Sequence, residues 1–370
     1  MAGARHVYVH LPFCGSRCGY CDFVTVVGRP EQHARYVDAL LRELELERHL
    51  LAPRLETVYL GGGTPTLTAP AELERLLRAL PRAAEVTVEA NPETVTPGLA
   101  ALLARCGVDR VSLGAQTFSE RLLTVLDRAA RPDDVRRAFR RLRAAGIDNI
   151  SLDLIYGIPG QEPADLMRDL AEALALEPEH LSAYELEANP GTRFAHAHGA
   201  ALEHQAESME TYFERVVELL TAADYRWYET ANFCLAPDRA QGRDLRARHN
   251  VGYWLGHDYL GLGVGAVSTI EHHRRRNAPS LKRYLAALER GDRPPREHEE
   301  LPRQVRDTER VMLGLRLDEP LDLAGLEGAL DEVELGRLTA LGLAVRERGT
   351  LRLTTRGRFL GGGVTARLLA

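Results

Sequence analysis

Along the first two thirds of the chain, short apolar and β-branched runs alternate with longer stretches that place Leu and Ala every three or four positions. The short runs are HVYVH (6–10), TVYL (57–60), EVTVEA (85–90), RVSLG (110–114), NISLDLI (149–155) and HLSAYEL (180–186), and each reads as a strand. The longer ones, such as YVDALLRELELERHLL (36–51) and AELERLLRALP (71–81), read as amphipathic helices, the second stopped by Pro81. Six strand–helix units in series predict an α/β fold, a parallel sheet with helices outside it. Ligands then belong at the C-terminal ends of the strands. Spacing alone does not separate an open doubly wound sheet from a closed or partial barrel.

The pattern changes near residue 205. A long amphipathic helix (207–225) leads through an aromatic region to a Gly-rich segment, LGLGVGAVS (260–268). HHRRRN (272–277) reads as a solvated turn, and ERGDRPPREHEELP (289–302) as a linker or domain junction. Beyond it, 306–317 looks helical and 344–354 looks like a hairpin turning at Gly349. The expected division is a core (1–205), an extension of that core (206–300) and a small helical or winged-helix-like domain (301–370). No basic recognition helix stands out, so nucleic acid is not an expected partner.

Charge and composition narrow the class only modestly. A net charge of −6 asks for neither nucleic acid nor an anionic membrane. Lys282 is the only lysine, and the arginines are spread along the chain rather than clustered. The N-terminus lacks a long apolar stretch, and no run approaches the roughly 20 residues of a membrane span. The five cysteines do not form a secreted disulfide framework. The expected location is the cytoplasm.

Cysteine placement carries the chemistry. PFCGSRCGYCDF (12–23) holds Cys14, Cys18 and Cys21 as C-x3-C-x2-C on a loop after the first strand. A tetrahedral zinc site wants four ligands, and Cys106 or Cys234 completes one only by folding onto this loop. Three thiolates also suit a [4Fe–4S] cube with one iron left open. On spacing alone both remain.

This motif, with Tyr20 before its third cysteine, resembles the radical SAM superfamily. The resemblance implies a partial (β/α)6 barrel, a [4Fe–4S] cluster on Cys14, Cys18 and Cys21, and S-adenosylmethionine chelating the open iron. It also implies cofactor contacts. GGGTPT (61–66), with Gly62, Gly63 and Thr64, follows the second strand. Glu89 lies in EANPE (89–93), Gln116 in SLGAQTF (112–118) and Asp153 in LDLIYGIPGQ (152–161). Tyr8 and Arg128 also match, although Ala130 stands where the family usually has a histidine.

Within the superfamily the chain resembles HemW-type haem chaperones and their relative, oxygen-independent coproporphyrinogen III oxidase. The oxidase has a further cysteine where this chain has Phe23, and a long N-terminal extension where this chain has a few residues. RHNVGYW (248–254) resembles the HNxxYW motif associated with haem in the chaperones. The resemblance implies haem as a ligand, with His249 a candidate iron ligand, Asn250 orienting it, and Tyr253 and Trp254 offering flat faces. It implies an acceptor protein for the haem. Membrane association through a partner, homodimerisation and turnover of the cofactor stay open. The alternatives are an oxidative decarboxylase of coproporphyrinogen III and a radical SAM enzyme with a non-porphyrin substrate. Cys106 and Cys234 are expected to be buried apolar residues.

Overall fold

The computed structural model describes residues 3–187 and 193–369. All six strand-like runs are strands. β1 (His6–Leu11) leads into the cysteine loop, which a short ladder between β2 (Phe13–Cys14) and β3 (Val26–Val27) pins at both ends. Then follow α1 (His33–Glu47), β4 (Leu55–Gly62), α2 (Pro70–Ala79), β5 (Ala83–Ala90), α3 (Pro97–Arg105) and β6 (Arg110–Gln116). After them come α4 (Glu120–Val125), α5 (Pro132–Ala144), β7 (Ile150–Tyr156), α6 (Pro163–Ala175) and β8 (His180–Glu185). The strands pair in parallel in the order β1-β4-β5-β6-β7-β8. Their apolar runs are nearly continuous because both faces are covered. In β7, for example, only Asp153 is not fully buried. α2, α3, α5 and α6 each begin on a proline, where the missing N–H has no helical partner to lose.

The second half departs from expectation in its strands. α7 (Arg193–Ala206) and α8 (Met209–Ala222) precede the antiparallel pair β9 (Tyr225–Glu229) and β10 (Asn232–Leu235), which extends the sheet beyond β8. After α9 (Arg248–Trp254), the Gly-rich segment supplies β11 (Tyr259–Leu262), paired in parallel along the edge of β1 opposite β4, and β12 (Val267–Ile270). Gly261 permits this fold-back, because a Cβ there would sit 2.0 Å from the Val267 carbonyl oxygen. The supposed turn at 272–277 is β13 (His273–Asn277). α10 (Leu281–Glu289) runs up to the supposed linker, which itself contains β14 (Arg296–Glu300), paired with β13. β14 is the edge strand and β13 lies next to it; both are rich in charged residues and only Asn277 of the two is buried, so no apolar alternation marked them. The finished sheet has 12 strands and is open, with β14 and β9 as its edges.

A buried carboxylate locks this extension to the barrel. Glu43 on α1 is 0% exposed and accepts bonds from Gly263 N (2.8 Å), Asn277 Nδ2 (2.7 Å), the Tyr284 hydroxyl (2.7 Å) and Arg296 Nη2 (3.0 Å).

The chain ends in α11 (Arg303–Gly314), β15 (Leu321–Asp322), α12 (Glu332–Ala340), β16 (Ala344–Glu347), β17 (Thr350–Leu353), α13 (Thr355–Phe359) and α14 (Gly361–Leu368). Three short strands and four helices enclose their own apolar cluster, with Val311, Leu335, Leu351 and Val364 inside, in a winged-helix-like arrangement. Gly349 turns the hairpin at φ +82°. Arg358 seats this part on the barrel extension: its guanidinium lies 3.6 Å from the Trp227 ring centroid and donates to the Trp227 carbonyl at 2.8 Å. Cys234 is buried as expected, whereas Cys106 is only half-buried. No helix among the described residues is long and apolar enough to cross a membrane.

Candidate functional site

The C-terminal ends of the parallel strands surround a cavity of about 1040 Å³. Cys14, Cys18 and Cys21 line one end. Thr64 donates its hydroxyl to Cys14 Sγ at 3.6 Å, and Arg128 Nη1 donates to Cys18 Sγ at 3.7 Å. Asn91 couples the two, donating to Thr64 Oγ1 (3.1 Å) and accepting from Arg128 Nη2 (3.0 Å). Among the described residues the three sulfurs do not converge within 4.8 Å; His6, Glu56 and His257 are the one group that does. A lone zinc needs its ligand atoms at the corners of one small tetrahedron, whereas a cluster offers each thiolate its own iron. The donor set therefore fits an iron–sulfur cluster. Burial raises the Cys14 and Cys21 thiols, so metal loading must displace their protons.

Gly62, Gly63, Thr64, Glu89, Gln116, Arg128, Asp153 and Tyr20 line the same cavity. The glycines answer first to packing: a Cβ on Gly63 would lie 2.6 Å from the Pro12 carbonyl, and one on Gly62 would lie 2.5 Å from the His10 ring. They let the cysteine loop sit directly on the end of β4. Glu89 accepts from the Tyr59 hydroxyl (2.7 Å) and from Gly62 N (3.0 Å), yet burial, reinforced by Asp153, pushes its carboxyl up to about 7. Arg128 Nε is buried without a partner. Gln116 holds φ +64° at a register shift in β6, a strained backbone for a side chain with a β-carbon. A buried acid that lacks a cation, and an unpaired guanidinium N–H, fit a zwitterionic ligand such as the amino acid end of S-adenosylmethionine.

Asp153 ends a directed hydrogen-bond chain that sequence reading missed. Ala247 N–H donates to the Tyr228 hydroxyl (3.1 Å), which lies 2.8 Å from His180 Nε2. His180 Nδ1 lies 2.8 Å from Ser151 Oγ, and Ser151 donates to Asp153 Oδ1 at 3.2 Å. Because Ser151 donates its single proton to Asp153, its oxygen accepts from His180 Nδ1–H, which leaves His180 Nε2 to accept from the Tyr228 hydroxyl, so every proton in the chain points toward Asp153. Ser112 donates to the other oxygen at 2.7 Å. Tyr59, Ser151 and His180 carry no sequence signal beyond strand periodicity, because their partners come from distant elements; Asn91 lies within EANPE, where only Glu89 stood out, and Tyr228 opens YETANF (228–233), to which the sequence attaches no role.

Two expected site residues lie behind the cavity instead of on it. Tyr8 and His249 are absent from its lining, which takes Asn250 and Trp254 from α9. His249 is 1% exposed, and both ring nitrogens are engaged: Nδ1 with Thr57 Oγ1 (2.7 Å) and Nε2 with the Tyr253 hydroxyl (2.9 Å). Its ring stacks on Tyr59 at 5.0 Å, and burial lowers its pKa to about 3. Tyr253 therefore occupies His249 rather than offering a free face, and Asn250 points to the cavity instead of orienting the imidazole. Tyr8 bonds His10 Nδ1 at 3.1 Å and packs against Tyr59 and His249.

The pattern of the radical SAM superfamily matches residues 8–173. The heme chaperone HemW of Mycobacterium tuberculosis is 38% identical over 377 residues, covering 98% of this chain and 94% of its own. That of Bacillus subtilis is 31% identical, covering 97% and 98%. That of Escherichia coli is 37% identical over 268 residues, covering 70% and 68%. Among solved structures, the coproporphyrinogen III oxidase HemN from Escherichia coli, a radical SAM enzyme, superposes with a TM-score of 0.83 at 24% identity, covering 99% of this chain and 90% of that one. That likeness establishes the fold. With relatives matched almost end to end, and with the cysteine loop, the glycine turn and the HNxxYW helix set around one cavity, the chain belongs to the HemW family of the radical SAM superfamily.

Proposed function

We propose that the protein is a haem chaperone. It binds a [4Fe–4S] cluster through Cys14, Cys18 and Cys21, S-adenosylmethionine beside that cluster, and haem, which it hands to an acceptor protein. One observation carries the reading: a single cavity runs from the cysteine loop to the HNxxYW helix, lined by Asn250 and Trp254 at its far side. Its volume, about 1040 Å³, lies at the top of the ~300–1,000 Å³ range of small-molecule sites, leaving room for a second ligand beside the cofactor.

The far wall suits a porphyrin. Trp254, Leu315 and Phe359 offer apolar surface, and Arg316 and Arg358 offer guanidinium groups for propionates. Arg358 Nη2 and Trp254 Nε1 are buried without partners. When bound, the cluster and its cofactor supply one-electron chemistry at the open iron. The chain's own part is to hold the cofactor's amino acid end with Glu89 and Arg128 and to exclude water. His249 is the nitrogen donor of the motif, sheltered by Tyr253 in this conformation, so it reaches haem iron only when Tyr253 gives up its bond to Nε2. Residence in the cytoplasm, and membrane contact only through a partner, belong to the same reading.

The test is an anaerobic haemin titration of the cluster-loaded protein, followed at the Soret band. Saturation at a single haem per chain is expected, with a shifted Soret band in His249→Ala and a stronger ligand signature in Tyr253→Phe. An unchanged band in His249→Ala would make His249 a structural residue of α9 and move the ligand elsewhere. No saturable binding would end the chaperone reading. Release of CO2 from coproporphyrinogen III under the same conditions would replace it with the decarboxylase.

A further inference from the structure

At the opposite end of the barrel from the cysteine loop, three ligand atoms converge. His6 opens β1, Glu56 is the second residue of β4, and His257 follows α9. Their ligand atoms all lie within 4.8 Å of one another. His6 Nε2 lies 3.1 Å from His257 Nδ1 and 3.5 Å from Glu56 Oε2. We propose that these three side chains form a binding site for a divalent zinc-class ion, separate from the iron–sulfur site, with its fourth position open to solvent.

The distances carry the geometry. Bonds of ~2.0–2.1 Å to a tetrahedral ion put neighbouring ligand atoms about 3.4 Å apart, between the two separations observed. The site is also braced as metal ligands usually are. His6 Nδ1 is 2.8 Å from Thr57 Oγ1, and Arg5 holds the second oxygen of Glu56 at 2.6 Å. His6 is 2% exposed, so its ring cannot swing away, while Glu56 and His257 are partly open for ion entry. The backbone is cut to fit: a Cβ on Gly252 would lie 2.8 Å from the His6 ring.

Occupancy would reach the HNxxYW histidine. An ion on His6 Nε2 leaves that ring's proton on Nδ1, where Thr57 Oγ1 must accept it. The Thr57 hydroxyl then donates to His249 Nδ1, 2.7 Å away. The His249 proton therefore sits on Nε2, donated to Tyr253. On the haem reading above, on which this last step rests, a loaded ion leaves His249 Nε2 no lone pair for iron, so ion binding and haem ligation by His249 oppose each other.

Co2+ alone is the probe. It is titrated into full-length, chelator-stripped protein carrying Cys14→Ser, Cys18→Ser and Cys21→Ser, so that thiolates do not compete. One saturable Co2+ per chain is expected, with nitrogen/oxygen-type visible bands and no thiolate charge transfer. Glu56→Gln and His257→Ala, both on the accessible side, should each weaken it at least ~10-fold, the lower bound for losing even an outer-shell partner. Circular dichroism confirms that both variants fold. No saturable Co2+ binding, or equal affinity in all three proteins, overturns the site. The relay is read by 15N–1H correlation of His249 with and without Zn2+: the Nε2–H form on loading supports it, and the Nδ1–H form on loading overturns it. Neither readout involves haem, so failure here and failure of the chaperone reading are distinct results.

Discussion

Glu89 joins burial to pH. Its folded pKa, about 7, lies above the ordinary value of 4.5, chiefly because burial disfavours the charged form. The folded state therefore holds a proton that the unfolded chain releases, and the associated stability is lost as pH rises from about 4.5 through 7. The shift corresponds to roughly 3 kcal/mol. A bound cation reverses this by favouring the carboxylate. S-adenosylmethionine binding at pH 6 is expected to release a proton from Glu89. Calorimetry in buffers of different ionisation enthalpy would show it in the wild type and not in Glu89→Gln; a buffer-independent enthalpy in the wild type would rule it out. Gln116 stores strain at the same site. Replacing it with glycine should relieve about 1 kcal/mol and raise the melting temperature while weakening cofactor binding, in keeping with strain held at functional positions.

At the scale of elements, α9 is placed by contacts that a short helix could not supply for itself. Arg248 N–H donates to Glu85 Oε1 at 3.2 Å, His249 bonds Thr57, and Gly252 lets the His6 ring lie against the backbone. Gly→Ala in a helix ordinarily gains about 1 kcal/mol. In Gly252→Ala the new methyl meets the His6 ring, so a loss of ~1–3 kcal/mol is expected instead, seen as a lower urea midpoint. The Glu43 hub shows the same dependence on distant partners. Glu43→Ala leaves Arg296 its ion pair with Glu47 at 2.7 Å but removes the acceptor shared by Gly263 N–H, Asn277 and the Tyr284 hydroxyl, all of them buried. The expected cost is about 3–5 kcal/mol in thermal or urea unfolding, from buried donors left without a partner.

For the whole molecule, the cavity is a joint product of three stretches of chain. The parallel strands supply the cysteine and cofactor end, α9 supplies Asn250 and Trp254, and the winged-helix-like part supplies Arg316, Arg358 and Phe359. Arg358 stands at the join, stacked on Trp227 and flanked by the bidentate Arg226–Asp318 pair (2.8 and 2.9 Å). Burial lowers its pKa to about 10 without discharging it near neutrality. Arg358→Ala is expected to weaken haemin binding ~10-fold, the scale of one charge-assisted hydrogen bond, with iron content and S-adenosylmethionine affinity unchanged. Equal loss of all three ligands would instead mean that the wall had collapsed.

What the sequence determined by itself was whatever local pattern encodes. The six parallel strands and their helices follow from apolar periodicity, and the hairpin turn follows from Gly349. The cysteine spacing and the motifs at successive strand ends carried the family. Tertiary structure decided the rest. β13 and β14 are charged strands at one end of the sheet whose pairing, not their composition, makes them strands. β11 needs β1 beside it to be a parallel strand at all. His249 read as a candidate iron ligand because a motif gives residue types and not directions. Only the fold brings Thr57 and His6 to its buried side while Tyr253, a turn along α9, covers its other nitrogen. Hydrogen bonds such as Thr57–His249 and Glu85–Arg248, between residues 192 and 163 positions apart, have no periodicity to read, and those bonds set which face of α9 meets the cavity.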